Sequence, residues 1–154
     1  MQKNLRYEYI NTALNKTFQQ LFIDYFKGFN MAFPIKAFMT MDQDIKAHNI
    51  QIILLYLKRN PIGFSMFQID TKENPWCLHE GAGGIREFYV ALKYRNQAYG
   101  RYLFNLTKQY FIRRNITEIY LTCDDVGDFW KKLGFVATGR IIKENDSEEY
   151  KLAL

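Results

Sequence analysis

The chain is poor in the residues that staple small folds together. Among its 154 residues are two cysteines, Cys77 and Cys123, and two histidines, His48 and His79. No CxxC or HxxxH spacing accompanies them. Neither a disulfide framework nor a metal is therefore expected. Long apolar runs are missing too, and none approaches the roughly 18 residues of a membrane span, so no membrane partner is expected. The opening "MQKNLRYEYI" turns polar before any hydrophobic stretch forms. A secretory leader is thus not expected, and the expected location is cytoplasmic. No internal repeat, low-complexity segment or linker interrupts the chain, which reads as one domain over residues 1–154.

What is present is apolar and ring-rich. Hydrophobic residues make up 48% and aromatics 17%, with 13 Phe and 11 Tyr, which predicts a core built largely of rings. A net charge of +5 and a pI near 9.1 permit an anionic ligand. The lysines and arginines are scattered, however, and no single element carries an aromatic and basic face. A solvated basic surface is expected, and nucleic acid is not an expected partner.

Periodicity gives the elements. "LRYEYI" alternates as a strand from Leu5 to Ile10. Leu14, Phe18, Leu21, Phe22, Tyr25 and Phe26 then recur at helical spacing, with Asn11 or Thr12 as the cap and Gly28 at the end. A second helix follows Pro34, with Phe38, Met41 and Ile45 on one face. The link between them, "GFNMAFP", reads as a packed corner or as one wall of a substrate pocket. "IQIILLYL" and "IGFSMFQID" form a hairpin across "KRNP". "TKENPWCLHEGAGG" is a long loop whose Gly81, Gly83 and Gly84 read as flexible lead-in, since the Lys-Ser/Thr of a P-loop is absent.

The second half is more regular. Ile85 to Leu92 reads as a strand. Gly100 to Asn115 reads as a helix with Leu103, Leu106, Thr107, Tyr110 and Phe111 on one face. "EIYLTC" follows as a strand, which implies a right-handed crossover between parallel neighbours. "VGDFWKKL" is a short helix closed by Gly134, and "FVATGRII" with "EYKLAL" makes a final hairpin. The expected fold is α+β, with helices on both faces of a mixed, mostly antiparallel sheet of about seven strands.

The stretch "YRNQAYGRYLF", Tyr94 to Phe104, is the hinge of that crossover. It delivers the chain from the carboxyl end of a strand into a helix N-terminus, where N–H groups lack intrahelical partners and the helix dipole is positive. Arg95 and Arg101 add charge there, and Gly100 would let a phosphate approach the backbone. The same glycine fits a simple tight turn with solvated arginines.

"IREFYVALKYRNQAYGRYLF" followed by "DFWKKLGF" resembles the GNAT superfamily of acyl-CoA-dependent N-acetyltransferases. Arg95, Ala98 and Gly100 stand in its Arg/Gln-x-x-Gly-x-Gly/Ala signature. Trp130, Leu133, Gly134 and Phe135 stand in its later aromatic-x-x-Leu-Gly-Phe segment. The resemblance implies the acyl-CoA N-acyltransferase fold, acetyl-CoA as acyl donor and a primary amine of a small molecule or peptide as acceptor. It places the pyrophosphate of coenzyme A on the backbone of Asn96, Gln97, Ala98, Tyr99, Gly100 and Arg101, beside Arg95. The pantetheine arm would pair with the strand near Val90 and Leu92, between two strands that splay apart. Trp130 stands where many members carry a tyrosine that protonates the leaving thiolate, a task an indole N–H cannot perform. Tyr89, Tyr120 and Cys123 are alternatives by neighbourhood. Asn96 and Ala98 stand where the family prefers glycine, which makes the loop less permissive; Ala98 fits if its φ is negative, and at a modest cost otherwise.

Glu87 is the residue expected to deprotonate the amine, with an ion pair to Arg86 as the competing reading. Asp124 is expected to contact the pantetheine or to cap the helix beginning near Val126. The acceptor would lie toward the first two helices, where Asp24, Asp42 and Asp44 add negative charge. A non-catalytic acyl-CoA sensor is the alternative function, and the assembly is expected to be a monomer or homodimer.

Overall fold

The computed structural model describes residues 4–124 and 127–154. Its elements, in chain order, are β1 (Leu5–Ile10), α1 (Lys16–Lys27), α2 (Ala37–His48), β2 (Gln51–Leu57), β3 (Asn60–Ile69) and β4 (Gly83–Val90). A 3-10 turn (Leu92–Tyr94) leads to α3 (Tyr99–Ile112), β5 (Glu118–Cys123), α4 (Gly127–Lys132), β6 (Val136–Ile142) and β7 (Ser147–Ala153). The strands form one sheet in the order β1-β2-β3-β4-β5-β7-β6. Every pair is antiparallel except β4 with β5, which the α3 crossover joins. The expected fold class and topology are those observed.

Strand periodicity explains why residues 52–57 of β2 are apolar throughout. Ile52, Leu54 and Tyr56 enter the core under α1 and α2, while Ile53 and Leu55 enter the core under α3 and α4. A strand covered on both faces has no polar side to show. The first of these cores is built of rings. Phe18, Phe22, Phe38 and Phe64 pack with centroids 5.3 to 6.3 Å apart. Phe33 of the "GFNMAFP" link joins them at 4.8 Å from both Phe22 and Phe38, so the link is in part a packed corner. Phe29 and Met31 of the same link remain exposed.

Several boundaries differ from expectation for local reasons. Helix α1 is capped by Asn15, whose side chain accepts from Phe18 N–H at 2.9 Å, in place of Asn11 or Thr12. Thr12 donates instead to Asp42 at 2.6 Å, tying the loop after β1 to α2. Gly83 and Gly84 are buried strand residues and not a flexible lead-in. A Cβ on Gly83 would lie 2.7 Å from the Phe111 ring, and one on Gly84 would lie 2.9 Å from the Tyr120 hydroxyl. Both are therefore glycine because side chains fill the space beside them. Helix α3 stops at Ile112, and the chain turns through Asn115 at φ 60. Gly134, at φ 101, ends the segment after α4 as expected. Among the described residues no helix is long and apolar enough to cross a membrane.

Candidate active site

The site begins where two parallel strands stop pairing. On one side β4 pairs with β3 from Ile69↔Gly83 to Gly63↔Val90. On the other it meets β5 at Gly83↔Ile119 and Gly84↔Tyr120 only, although β4 continues to Val90 and β5 to Cys123. The strands splay beyond Gly84. Ala91 N–H donates to Ile62 of the β3 side at 2.8 Å. By ladder alternation, Phe88 and Val90 turn their backbone groups the other way, into the gap. Such an open strand edge accepts an extended chain carrying amides.

Leu92 does not lie on that edge. The strand ends at Val90, because turn bonds from Tyr94 N–H to Ala91 O (2.9 Å) and from Arg95 N–H to Leu92 O (3.2 Å) replace the ladder. Leu92 is 76% exposed in this turn. Arg95 bends back across it, and its Nε donates to Val90 O at 2.8 Å. The arginine thus ties the hinge to the end of β4.

Asn96 (φ 59) and Ala98 (φ 69) both adopt the left-handed conformation, so the costlier of the two cases holds at Ala98. Asparagine tolerates this region, whereas alanine pays for its Cβ. Ala98→Gly should therefore raise stability by about 1 kcal/mol and the Tm by roughly 2–4 °C. Thermal melting of the two proteins checks this, and a lower Tm in the variant would show that Ala98 is unstrained.

Helix α3 opens without a side-chain cap, since Ala98 occupies the cap position. The N–H groups of Tyr99, Gly100 and Arg101 have no intrahelical acceptor, and the exposed side chains of Arg95, Gln97 and Arg101 stand near them. This hinge can hold an anion. Gly100 also has a packing role. A Cβ there would lie 3.0 Å from the Phe129 ring of α4, so the glycine makes room for that ring. Tyr99 turns its side chain into the core. Trp130 is 4% exposed, with Phe88, Phe104, Phe129 and Phe135 around it at 4.9 to 6.0 Å. Its Phe88 contact brings it beside the gap as part of the core. Asp124 is exposed after β5, and the helix start near Val126 lies outside the described residues.

Glu87 sits in mid-strand on the α1 and α2 side. The Tyr25 hydroxyl of α1 donates to its Oε2 at 2.7 Å. Burial raises the Glu87 pKa above the usual carboxylate range, while the Tyr25 hydrogen bond and the charge of Arg86 pull it back. The Tyr25 hydroxyl is itself pushed well above its usual value, by burial and then by the Glu87 charge. It stays protonated and keeps donating. A carboxylate whose pKa is raised in this way holds a proton better than an ordinary one and is suited to act as a base.

A cavity of about 350 Å³ opens beside Glu87, between α2 and β4. Phe22, Met41, Ile45 and Met66 contribute apolar surface, and Asp44, Arg86 and Glu87 contribute charge. Of the other aspartates considered, Asp42 accepts from Thr12 and Ala13 and pairs with Lys46 at 2.8 Å, which makes it a structural clamp. Asp24 accepts from Gln20. Tyr120 donates to buried Asp70, and burial followed by that carboxylate raises its pKa strongly. Its proton is committed there. Tyr89 packs between Tyr25 and Phe64, and Cys123 packs against the α3 and α4 core. Among the described residues no group of His, Cys, Asp or Glu could hold a metal ion.

Sequence reasoning missed Tyr25, which falls on the apolar stripe of α1 and reads as core. The usable signal was its hydroxyl, because a tyrosine buried in such a stripe needs an acceptor. Arg86 entered the reading only as a partner for Glu87, and they form no ion pair among the described residues.

The splayed parallel pair, the left-handed hinge and the helix N-terminus beyond it define an acyl-transferase scaffold. Residues 15–135 match the acetyltransferase (GNAT) family, and the chain belongs to that family. No curated protein matches it in sequence. Similar solved structures include the PaiA N-acetyltransferase from Thermoplasma acidophilum in complex with coenzyme A. It is 12% identical, with 97% of this chain and 99% of that one covered at a TM-score of 0.68. A GNAT-family acetyltransferase from Staphylococcus aureus Mu50 is 17% identical over 97% and 99% of the two chains, at 0.69. An aminoglycoside acetyltransferase from an uncultured soil metagenomic sample, in complex with sisomicin, is 16% identical over 90% and 93%, at 0.68. At these identities the likeness concerns the fold.

Proposed function

We propose that this protein is an N-acetyltransferase that transfers an acetyl group from acetyl-CoA to a primary amine. The observation that carries this reading is the gap between β4 and β5, which opens just where Glu87 stands beside a cavity. The binding residues fit the donor. The open edge of Phe88 and Val90 suits the amides of a pantetheine arm, and the uncapped N-terminus of α3 with Arg95 and Arg101 suits a pyrophosphate. Asn96, Gln97 and Ala98 supply further backbone N–H groups in the hinge. Leu92 and Trp130 contribute less directly, one as the turn after the strand and the other as packing beneath the gap.

When bound, acetyl-CoA supplies the activated acyl carbon. Glu87 accepts the proton of the incoming ammonium, directly or through water, because an alkylammonium with a pKa near ~10 is not a nucleophile. A gap-facing backbone N–H of β4 offers a donor for the oxyanion. The Tyr120 proton is committed to Asp70, and a thiolate with a pKa near ~8.5 can leave without a side-chain acid.

Calorimetric titration with acetyl-CoA, with CoA and with a nucleotide lacking the pantetheine tests the reading, together with thiol release on addition of amines. Tight binding of both CoA species, with amine-dependent release, is the expected result. Binding without release from any amine would favour an acyl-CoA sensor, and no binding by folded protein would remove the donor assignment.

A further inference from the structure

The cavity beside Glu87 contains a cation, Arg86, that feels the charges of Glu87, Asp44 and Asp70 without any of them reaching ion-pair distance. Arg86 is half-buried, and burial lowers its pKa. Among the described residues no carboxylate forms an ion pair with it. Of its five donors, Nη1 alone has a partner among the described residues, Gln68 Oε1 at 3.3 Å. A guanidinium removed from much of its water and left with one long hydrogen bond calls for an anionic group.

Its position is also held from behind. Gln68 Nε2 donates to Asp70 Oδ1 at 2.8 Å and to Pro75 O at 3.2 Å, which turns its Oε1 toward Arg86. Asp70 in turn accepts from Tyr120 and from the N–H groups of Leu78 and His79. Gln68 and Asp70 are both fully buried. This chain of bonds orients a side chain whose remaining donors are unused.

A β-bulge brings that side chain to the site. The register steps from Met66↔Glu87 to Phe67↔Ile85, which leaves Arg86 as the extra residue of β4. Regular alternation would send Arg86 and Glu87 to opposite faces, yet both line the cavity. A cation and a proton acceptor are thus presented together, above the apolar surface of Phe22, Met41, Ile45 and Met66.

We propose that the acceptor is an α-amino acid with an apolar side chain, its carboxylate on Arg86, its amine at Glu87 and its side chain against the apolar wall. The inference rests on the N-acetyltransferase reading and names its substrate class. The amine nitrogen bonds to the acetyl carbon as the C–S bond breaks, its proton passes to Glu87, and an N-acetyl amino acid and CoA result. Amines without an anionic group leave its remaining donors unused and place a second cation beside it.

The test compares kcat/KM for L-methionine and L-phenylalanine with that for their methyl esters and decarboxylated amines, at saturating acetyl-CoA. The free acids should be favoured by about tenfold to a hundredfold, the value of one charge-assisted pair. Arg86→Gln should collapse that ratio toward one while acetyl-CoA affinity is retained. Esters and decarboxylated amines used as well as the acids, with a ratio unmoved by Arg86→Gln, would overturn the amino-acid acceptor and leave the N-acetyltransferase standing. Acetyl-CoA binding with no release from any of these amines would overturn the amino-acid acceptor, and no release from any amine at all would overturn both.

Discussion

Glu87→Gln is expected to bind acetyl-CoA as the parent does and to transfer acetyl a hundred- to ten-thousandfold more slowly at neutral pH, the usual contribution of a general base. The glutamine still accepts from Tyr25, so the link between α1 and β4 survives. Stability should survive as well. Burial raises the folded-state pKa of Glu87, so its contribution is fully present below the unfolded pKa and is lost as pH rises through the folded one. Above the folded pKa the carboxylate is therefore a net cost, and there the variant should melt no lower than the parent. The pH profile carries the sharper sign. In the parent, kcat/KM falls as pH drops through the raised Glu87 pKa. Tyr25→Phe removes a hydrogen bond that lowers that pKa, so the falling limb should move to higher pH with donor affinity unchanged. An unchanged rate in Glu87→Gln, or a limb that stays in place in Tyr25→Phe, would move the base elsewhere.

Gly63→Ala should give the largest loss of stability for one added methyl. Gly63 lies mid-sheet, paired with Leu55 on one side and Val90 on the other. Its Cβ would fall 2.4 Å from Tyr89 O and 3.3 Å from Val90 Cα. Those are backbone atoms, so no rotamer change relieves the clash and β3 must move away from β4. Overpacking of this kind costs about 3 kcal/mol, which for a chain of this length lowers the Tm by roughly 6–12 °C. The displaced strand end is the one that Arg95 holds, so acetyl-CoA affinity should fall too. A thermal melt and a titration on the same sample read both effects, and a Tm within a degree of the parent would show that the strands separate freely here.

Much of this molecule was legible beforehand because its elements are strongly periodic. The two-faced burial of β2 is written in an unbroken apolar run, and the crossover follows from the order of strand, helix and strand. The family likeness rests on a hinge and an aromatic segment far apart in sequence. Where the reading failed, the cause was a contact between distant residues. Gly83 and Gly84 looked flexible because nothing local shows that Phe111 and Tyr120 occupy the space beside them. Asn15, in place of Asn11 or Thr12, caps α1 because Asp42 holds Thr12 from across the chain.

The sequence alone determined the α+β order, the ring-rich core, the family and Glu87 as the base to consider, since each depends on residue types at short, regular spacing. Only the tertiary structure decided that β4 and β5 part after Gly84, that Tyr25 reaches Glu87, and that a bulge sets Arg86 beside it. Local spacing dictates which way a chain coils or extends. It does not dictate which side chains from separate elements meet, and here those meetings set the charge and shape of the cavity.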